Sequence, residues 1–134
     1  MYIDACALVA VLADEDEAER VSNSIASARL RFTSSVAILE TALALVRPDK
    51  FNVSVEVAEA LIMEFLDARG IELRDMPPAE RTTALALSAA HRYRQGRNGL
   101  NLGDCLHYAC AKYYDVPILA TAQEFRGTDL AVVP

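Results

Sequence analysis

The chain has 134 residues, of which 53% are hydrophobic and 24% charged, and its formal net charge is −6. This length suits one domain with its own core and excludes a large multidomain enzyme. The 19 acids against 13 Lys and Arg argue against nucleic-acid binding through a broad basic face, but they leave a local basic patch open.

Strands and helices alternate along the first third of the chain. A short apolar strand at 1–3 ends at Asp4, and an apolar helix follows at 5–13. The acidic segment 14–17 is expected to begin a second, exposed helix, and 29–33 is a predicted strand. Ser34 or Ser35 offers an N-cap for an apolar helix that ends near residue 46, before Pro48.

The rest of the chain repeats this alternation. Ser54 is expected to cap a helix that Gly70 ends, followed by a strand at 71–73. Pro77-Pro78 should open a helix that runs to about Gly96, and we predict a helix at 103–114 and strands at 116–120 and 131–133. No linker or repeat divides the sequence, so we treat residues 1–134 as a single domain. The pattern predicts an α/β fold with a mainly parallel sheet, in which ligands bind at the C-terminal ends of the strands.

Composition also predicts where the protein works. Three cysteines, an odd number, and the lack of a basic leader indicate a cytoplasmic protein without structural disulfides. No uninterrupted apolar stretch reaches the ~20 residues that a membrane span needs, so no membrane association is expected.

Three acids stand alone in apolar surroundings: Asp4, Glu40 and Asp104. A carboxylate in such a setting is costly unless it is paired or bound to a metal. Asp4 and Asp104 could simply cap the helices that follow them, whereas Glu40 lies within a helix and caps nothing. Together the three predict a site for one hard cation, Mg²⁺ or Mn²⁺, because both ions favour oxygen ligands.

Four segments of the chain resemble motifs of one family. They are DACAL at 4–8, SSVAILE at 34–40, LNLGDC at 100–105, and ILAT at 118–121 followed by EFRGTDL at 124–130. In this order they are similar to the motifs of PIN-domain ribonucleases of the VapC type, the toxins of bacterial type II toxin–antitoxin pairs. The resemblance covers nearly the whole chain.

The resemblance implies a three-layer α/β/α fold and a Mg²⁺-dependent endoribonuclease. Asp4, Glu40 and Asp104 would be its catalytic and metal-binding residues, and a metal-activated water would cleave the RNA to leave a 5′-phosphate and a 3′-hydroxyl. It also implies a VapB-type antitoxin partner, an RNA substrate such as tRNA, and a homodimer. The apolar residues between 53 and 66 could serve such a partner, or they could belong to the core.

Two positions depart from the family pattern. The family has a fourth acid where we align Gln123, although Glu124 and Asp129 lie close by. Cys6 stands where Ser is usual. These departures leave open the number of metals and a different function, that of a catalytically weakened scaffold that mainly binds its partner. The expected supporting residues of the site are Cys6, Asn101, Thr121, Gln123, Glu124 and Asp129.

The histidines, cysteines and arginines each allow more than one interpretation. Cys6, Cys105 and His107 could form a zinc site, although no paired cysteine spacing supports one, and small buried residues are the simpler interpretation of the cysteines. His107, three residues after Asp104, could contact the acidic site, but a satisfied, half-buried histidine is the favoured interpretation. The densest basic segment predicts phosphate contacts by Arg92, Arg94 and Arg97, or merely a solvated helix end. Another Mg²⁺-dependent phosphoryl-transfer domain is disfavoured, because such phosphatases want a second Asp two residues after Asp4.

Overall fold

The computed structural model describes residues 1–133, in which six helices surround five very short strands. The strands are β1 (Tyr2–Ile3), β2 (Phe32–Ser34), β3 (Glu72–Arg74), β4 (Ile118–Leu119) and β5 (Val132–Val133). The helices are α1 (Ala5–Leu12), α2 (Ala18–Ser27), α3 (Ser35–Leu45), α4 (Val55–Arg69), α5 (Ala79–Tyr93) and α6 (Leu102–Tyr113), with a 3₁₀ turn at Glu124–Gly127. The order of elements predicted from the sequence is confirmed.

The strands form one parallel sheet in the order β3-β2-β1-β4-β5. Successive strand residues face opposite sides. Ile3 and Leu119 join a core that includes α1 to α4, whereas Tyr2 and Ile118 join a second core with α5 and α6. The predicted α/β fold, with helices on both faces of a parallel sheet, is confirmed.

Several predicted element boundaries are wrong by a few residues. The acidic segment 14–17 does not begin a helix, because Asp14 takes a left-handed φ of 52° and α2 starts only at Ala18. The helix expected to run to Gly96 ends at Tyr93. The predicted strand at 116–120 shortens to two paired residues, since Val116 and Pro117 complete the turn after α6.

The sheet brings the start of the chain against its last third. The backbone N–H of Asp4 donates to the carbonyl of Leu119 at 3.0 Å, which fixes the end of β1 beside the end of β4. On the other side of β1, the Ser34 hydroxyl caps α3 by accepting from the backbone of Ala37. The elements that follow β1, β2 and β4 therefore begin at one edge of the sheet. No helix within residues 1–133 combines the length and apolarity required to traverse a bilayer.

Candidate active site

A cleft of about 630 Å³ opens at this edge of the sheet. It is lined by all three acids that the sequence singled out, together with Glu124 and with Glu15, which is paired with Lys50. Of the other expected supporting residues, Cys6, Asn101 and Thr121 also line it. Parallel strands place such residues together because their C-terminal ends meet at one edge of the sheet.

Asp4 is almost fully buried, with 3% of its surface exposed. Its side chain makes no capping bond to α1, so the capping interpretation is wrong for this residue. Its Oδ2 accepts a hydrogen bond from the Cys6 thiol at 2.7 Å, and its Oδ1 has no hydrogen-bond partner. A buried carboxylate oxygen without a donor is costly and needs compensation by a cation.

Cys6 connects Asp4 to the segment after β4. Its Sγ donates to Asp4 and accepts from the backbone N–H of Thr121 at 3.2 Å. Burial and the neighbouring Asp4 carboxylate raise the pKa of the Cys6 thiol to about 12, so it stays protonated and serves as a donor. The cysteine thus takes the orienting role that a hydroxyl would otherwise perform.

Glu40 reaches the cleft from α3, and Gly103 makes room for it. Gly103 is buried in the first turn of α6, and a Cβ at this position would overlap the Glu40 carboxylate. The backbone of α6 therefore approaches Glu40 more closely than any other residue type would allow. The LNLGDC segment at 100–105 therefore needs glycine at residue 103, because a larger residue would overlap the Glu40 carboxylate.

His107 joins the carboxylates of β1 and α3. Only 1% of its surface is exposed, and its Nε2 lies 2.5 Å from Glu40 Oε2 and 3.1 Å from Asp4 Oδ1. Its Nδ1 lies 2.7 Å from the Tyr2 hydroxyl. Burial lowers the pKa of His107, but the hydrogen bond with Glu40 and the charge of Asp4 outweigh it, so the pKa lies above its ordinary value.

The donor atoms that meet closely are therefore not the predicted three. Within residues 1–133, Asp4, Glu40 and His107 bring one ligand atom each within 4.8 Å of one another. Asp104 lines the cleft but is not in this group. Of the two cysteines of the zinc hypothesis, Cys6 lines the cleft and Cys105 borders a separate apolar pocket, and neither belongs to the group. The sequence located His107 one helical turn after Asp104 without showing which wall of the cleft it faces.

Asp104 combines a structural role with its place in the cleft. Its Oδ2 accepts from the Asn101 backbone at 2.7 Å, and the Asn101 side chain accepts from the Asp104 backbone at 2.9 Å. This reciprocal capping box starts α6, so the capping interpretation of Asp104 is correct. Burial raises the pKa of Asp104, and the charges of Asp4 and Glu124 add to it, against the hydrogen bond from Asn101.

The residues after β4 separate into two groups. Gln123 is exposed and does not line the cleft, whereas the next residue, Glu124, lines it and has one buried oxygen, Oε2, without a hydrogen-bond partner. Asp129 lies elsewhere: its carboxylate accepts from Lys112 Nζ and from the Tyr108 hydroxyl, each at 2.9 Å. The acid that faces the site is thus one residue later than the aligned position.

Asp129→Asn should lower the free energy of unfolding by less than about 1 kcal/mol at neutral pH, because the pair is partly exposed and screened. The bonds from Lys112 and Tyr108 hold the pKa of Asp129 at about 2, below its ordinary value of 3.8. The stabilisation is therefore present above about pH 4 and is lost as the pH falls towards 2. Urea unfolding of both proteins across this range measures it, with Asp67→Asn, an exposed acid on α4, as control. A difference between wild type and Asp129→Asn that persists at pH 2 would contradict the assignment.

The predicted phosphate-binding cations do not line the cleft. Arg92 lies over the Tyr93 ring and 3.7 Å from Asp129, Arg94 borders an apolar pocket beside α6, and Arg97 is exposed in the following loop. Instead, Arg47 and Lys50 line the cleft beyond the end of α3. Arg47 lies two residues beyond the end of α3, so helical spacing from Glu40 does not reveal its position.

Comparison with known proteins agrees with this architecture. A family model described as PIN domain matches residues 1–129. Ribonuclease VapC30 of Mycobacterium tuberculosis is 36% identical over 99% of this chain and 98% of its own, and Ribonuclease VapC of Mycolicibacterium smegmatis is 36% identical over 99% of both. The crystal structure of VapBC2 from Rickettsia felis, bound to a promoter DNA fragment, superimposes with a TM-score of 0.72 at 16% identity, covering 98% of this chain and 96% of its own. The chain therefore belongs to the PIN-domain family, within the group of VapC proteins.

Proposed function

We propose that the protein is a divalent-metal-dependent endoribonuclease that acts as the toxin of a VapBC-type pair. The observation that carries the proposal is the convergence of Asp4, Glu40, Asp104 and Glu124 on one cleft at the carboxyl edge of the sheet. Full-length similarity to proteins named VapC ribonucleases supports RNA as the substrate.

The residues of the cleft fit a divalent cation. The buried Oδ1 of Asp4 has no donor, and an oxygen of Glu40 lies close to it around the same nitrogen, His107 Nε2. Asp4 and Glu40 would hold the ion, with Asp104 on the other side of the cleft. Oxygen-rich donor sets of this kind suit Mg²⁺ or Mn²⁺.

The bound ion would act as a Lewis acid for the scissile phosphate and lower the pKa of a water. The chain positions the rest of the reaction. Asp104 and Glu124 are carboxylates in reach of the same space and can accept the proton of an attacking water. Arg47 and Lys50 also line the cleft, paired with Asp49 and Glu15, and can exchange these partners for neighbouring phosphates of the RNA.

The proposal includes a VapB-type antitoxin and a homodimer, both acting in the cytoplasm. Its support is an apolar surface on α3, α4 and β3, where Leu39, Val55, Met63 and Leu73 are all exposed by more than two-fifths. Other residues in the 53–66 segment, such as Ile62, are buried in the core. The segment thus divides between core packing and a free apolar face that a partner can cover.

Metal removal tests the proposal directly. Purified protein should cleave a pool of cellular RNA, including tRNA, with Mg²⁺ or Mn²⁺, lose cleavage in EDTA and regain it when the ion is restored. Asp104→Asn should reduce cleavage strongly, and expression of wild type without its partner should arrest bacterial growth. Asp67→Asn, the same chemical change on exposed α4, should cleave as the wild type does.

Each negative result points to a specific contrary function. RNA cleavage that continues in EDTA would exclude the metal mechanism. Equal growth on expression of wild type and Asp104→Asn, with no cleavage by either, would favour the scaffold that only binds its partner.

A further inference from the structure

His107 is a buried polar side chain directly behind the carboxylates of the cleft, and the proposed reaction leaves it without a task. It lies on α6, faces carboxylates from two other elements, and is 1% exposed. A histidine needed only for packing would require one polar partner for each ring nitrogen, whereas Nε2 here lies between two acids, Glu40 and Asp4.

The spacing of these three donors fits a shared ion. Nε2 is 2.5 Å from Glu40 Oε2 and 3.1 Å from Asp4 Oδ1, and all three ligand atoms lie within 4.8 Å of one another. The 3.1 Å contact between Nε2 and Asp4 Oδ1 is not a hydrogen bond, so this buried oxygen remains without a donor. A cation between the three atoms satisfies it.

The second ring nitrogen of His107, Nδ1, has the kind of hydrogen-bond partner that metal-ligating histidines have. Nδ1 lies 2.7 Å from the Tyr2 hydroxyl, which lies 2.8 Å from Ser34 Oγ, and all three residues are buried. Without an ion, Nε2–H donates to Glu40. Once an ion displaces that proton, the chain runs from Nδ1–H to Tyr2 and from Tyr2 to Ser34, and the Nε2 lone pair faces the ion. Histidine ligands characteristically donate their second ring N–H to such an outer partner.

We propose that His107 Nε2 is the third protein ligand of the ion held by Asp4 and Glu40, and that this nitrogen makes the site prefer Mn²⁺ to Mg²⁺. Imidazole suits transition-metal ions, whereas Mg²⁺ favours oxygen. The inference rests on the proposed function only in assuming that a divalent ion binds, and it concerns binding rather than cleavage.

Pulsed electron paramagnetic resonance on the Mn²⁺-loaded protein tests it without any variant. A nitrogen bound directly to Mn²⁺ modulates the spin echo, and labelling histidine with ¹⁵N should shift that modulation. The chain has two histidines, and His91 is exposed on α5, so His91→Gln is the matched control and should keep the signal. The absence of nitrogen modulation from bound Mn²⁺ would overturn the inference.

Titration with each metal alone measures the preference. His107→Gln offers an oxygen in place of the nitrogen, so its affinity for Mn²⁺ should fall by about 100-fold while its affinity for Mg²⁺ changes by less than about threefold. Tyr2→Phe should weaken Mn²⁺ binding by about tenfold through the loss of the outer partner. Circular dichroism of each variant establishes that it is folded.

The results separate this inference from the proposed function. Metal-dependent RNA cleavage with equal losses of Mn²⁺ and Mg²⁺ affinity in His107→Gln would overturn the ligand role and leave the ribonuclease proposal standing. Mn²⁺ binding with nitrogen modulation in a protein that cleaves no RNA would support the ligand role and contradict the ribonuclease.

Discussion

Asp4→Asn is expected to abolish metal-dependent RNA cleavage and, in the same protein, to raise thermal stability in the presence of EDTA. The loss follows because Asp4 supplies a charged ligand at the end of β1, and removing about 4 kcal/mol of transition-state stabilisation lowers kcat/KM by about 10³-fold. The gain is expected because the carboxylate is buried near other acids with one oxygen lacking a donor, and we expect this cost to exceed the attraction between Asp4 and His107. Relief of about 1 kcal/mol corresponds to a rise in Tm of roughly 3–6 °C.

Two measurements on one preparation check this expectation. RNA cleavage with Mn²⁺ gives the activity, and differential scanning calorimetry in EDTA gives the Tm. Asp67→Asn should change neither, since it makes the same substitution on an exposed helix surface. A variant that is both inactive and less stable would mean that Asp4 has a structural role and would remove the reason for calling it a metal ligand.

Gly103→Ala is the second substitution with a large expected effect. A Cβ at this buried position overlaps the Glu40 carboxylate, so either Glu40 swings out of the cleft or α6 retreats from α3. Either movement separates Glu40 from its partners, and we expect Mn²⁺ affinity and kcat/KM to fall by about 100-fold or more. Alanine has a higher helix propensity than glycine by about 1 kcal/mol, which offsets part of the stability that the overlap costs. It does not return the Glu40 carboxylate to its place in the site.

A compensating substitution makes this prediction specific. Glu40→Asp shortens the side chain and withdraws its carboxylate from the new Cβ, so the double variant should bind Mn²⁺ more tightly than Gly103→Ala alone. This non-additivity identifies contact between the two positions. Gly127→Ala is the control, because a Cβ there meets nothing within 4 Å and its φ is not left-handed. Equal metal binding by Gly103→Ala and wild type would show that α6 yields without disturbing the site.

Local signals in the sequence were sufficient to predict the order of elements and the cleft. Ser34 caps α3 as expected, Gly70 ends α4 in the left-handed conformation, and apolar segments form the strands. The three isolated acids line one cleft because Asp4 follows β1, Glu40 lies on the helix that follows β2, and Asp104 lies in the first turn of α6. Helix caps, helix ends and strand segments depend on residues that are close together in the chain, so they can be predicted from the sequence.

Features that depend on distant contacts could not be predicted in the same way. The short 3₁₀ turn that begins at Glu124 decides whether Gln123 or Glu124 faces the cleft. Such a turn is too short to leave a periodic pattern in the sequence, so this choice could not be predicted. His107 lies in a helix that is buried on most of its surface, so its spacing alone did not reveal which elements it faces. Arg92 was assigned to phosphate from local charge density, but its partner is Asp129, far along the chain.

The central position of β1 has a consequence for the synthesis of the protein. Asp4 and Glu40 leave the ribosome early, but Asp4 is held by Leu119, and the facing wall of the cleft is α6. Because β1 is the middle strand of the sheet and pairs with β4, the sheet cannot form completely until nearly the whole polypeptide has been synthesised. The cleft is thus incomplete in the growing chain and can form only after translation of the last third.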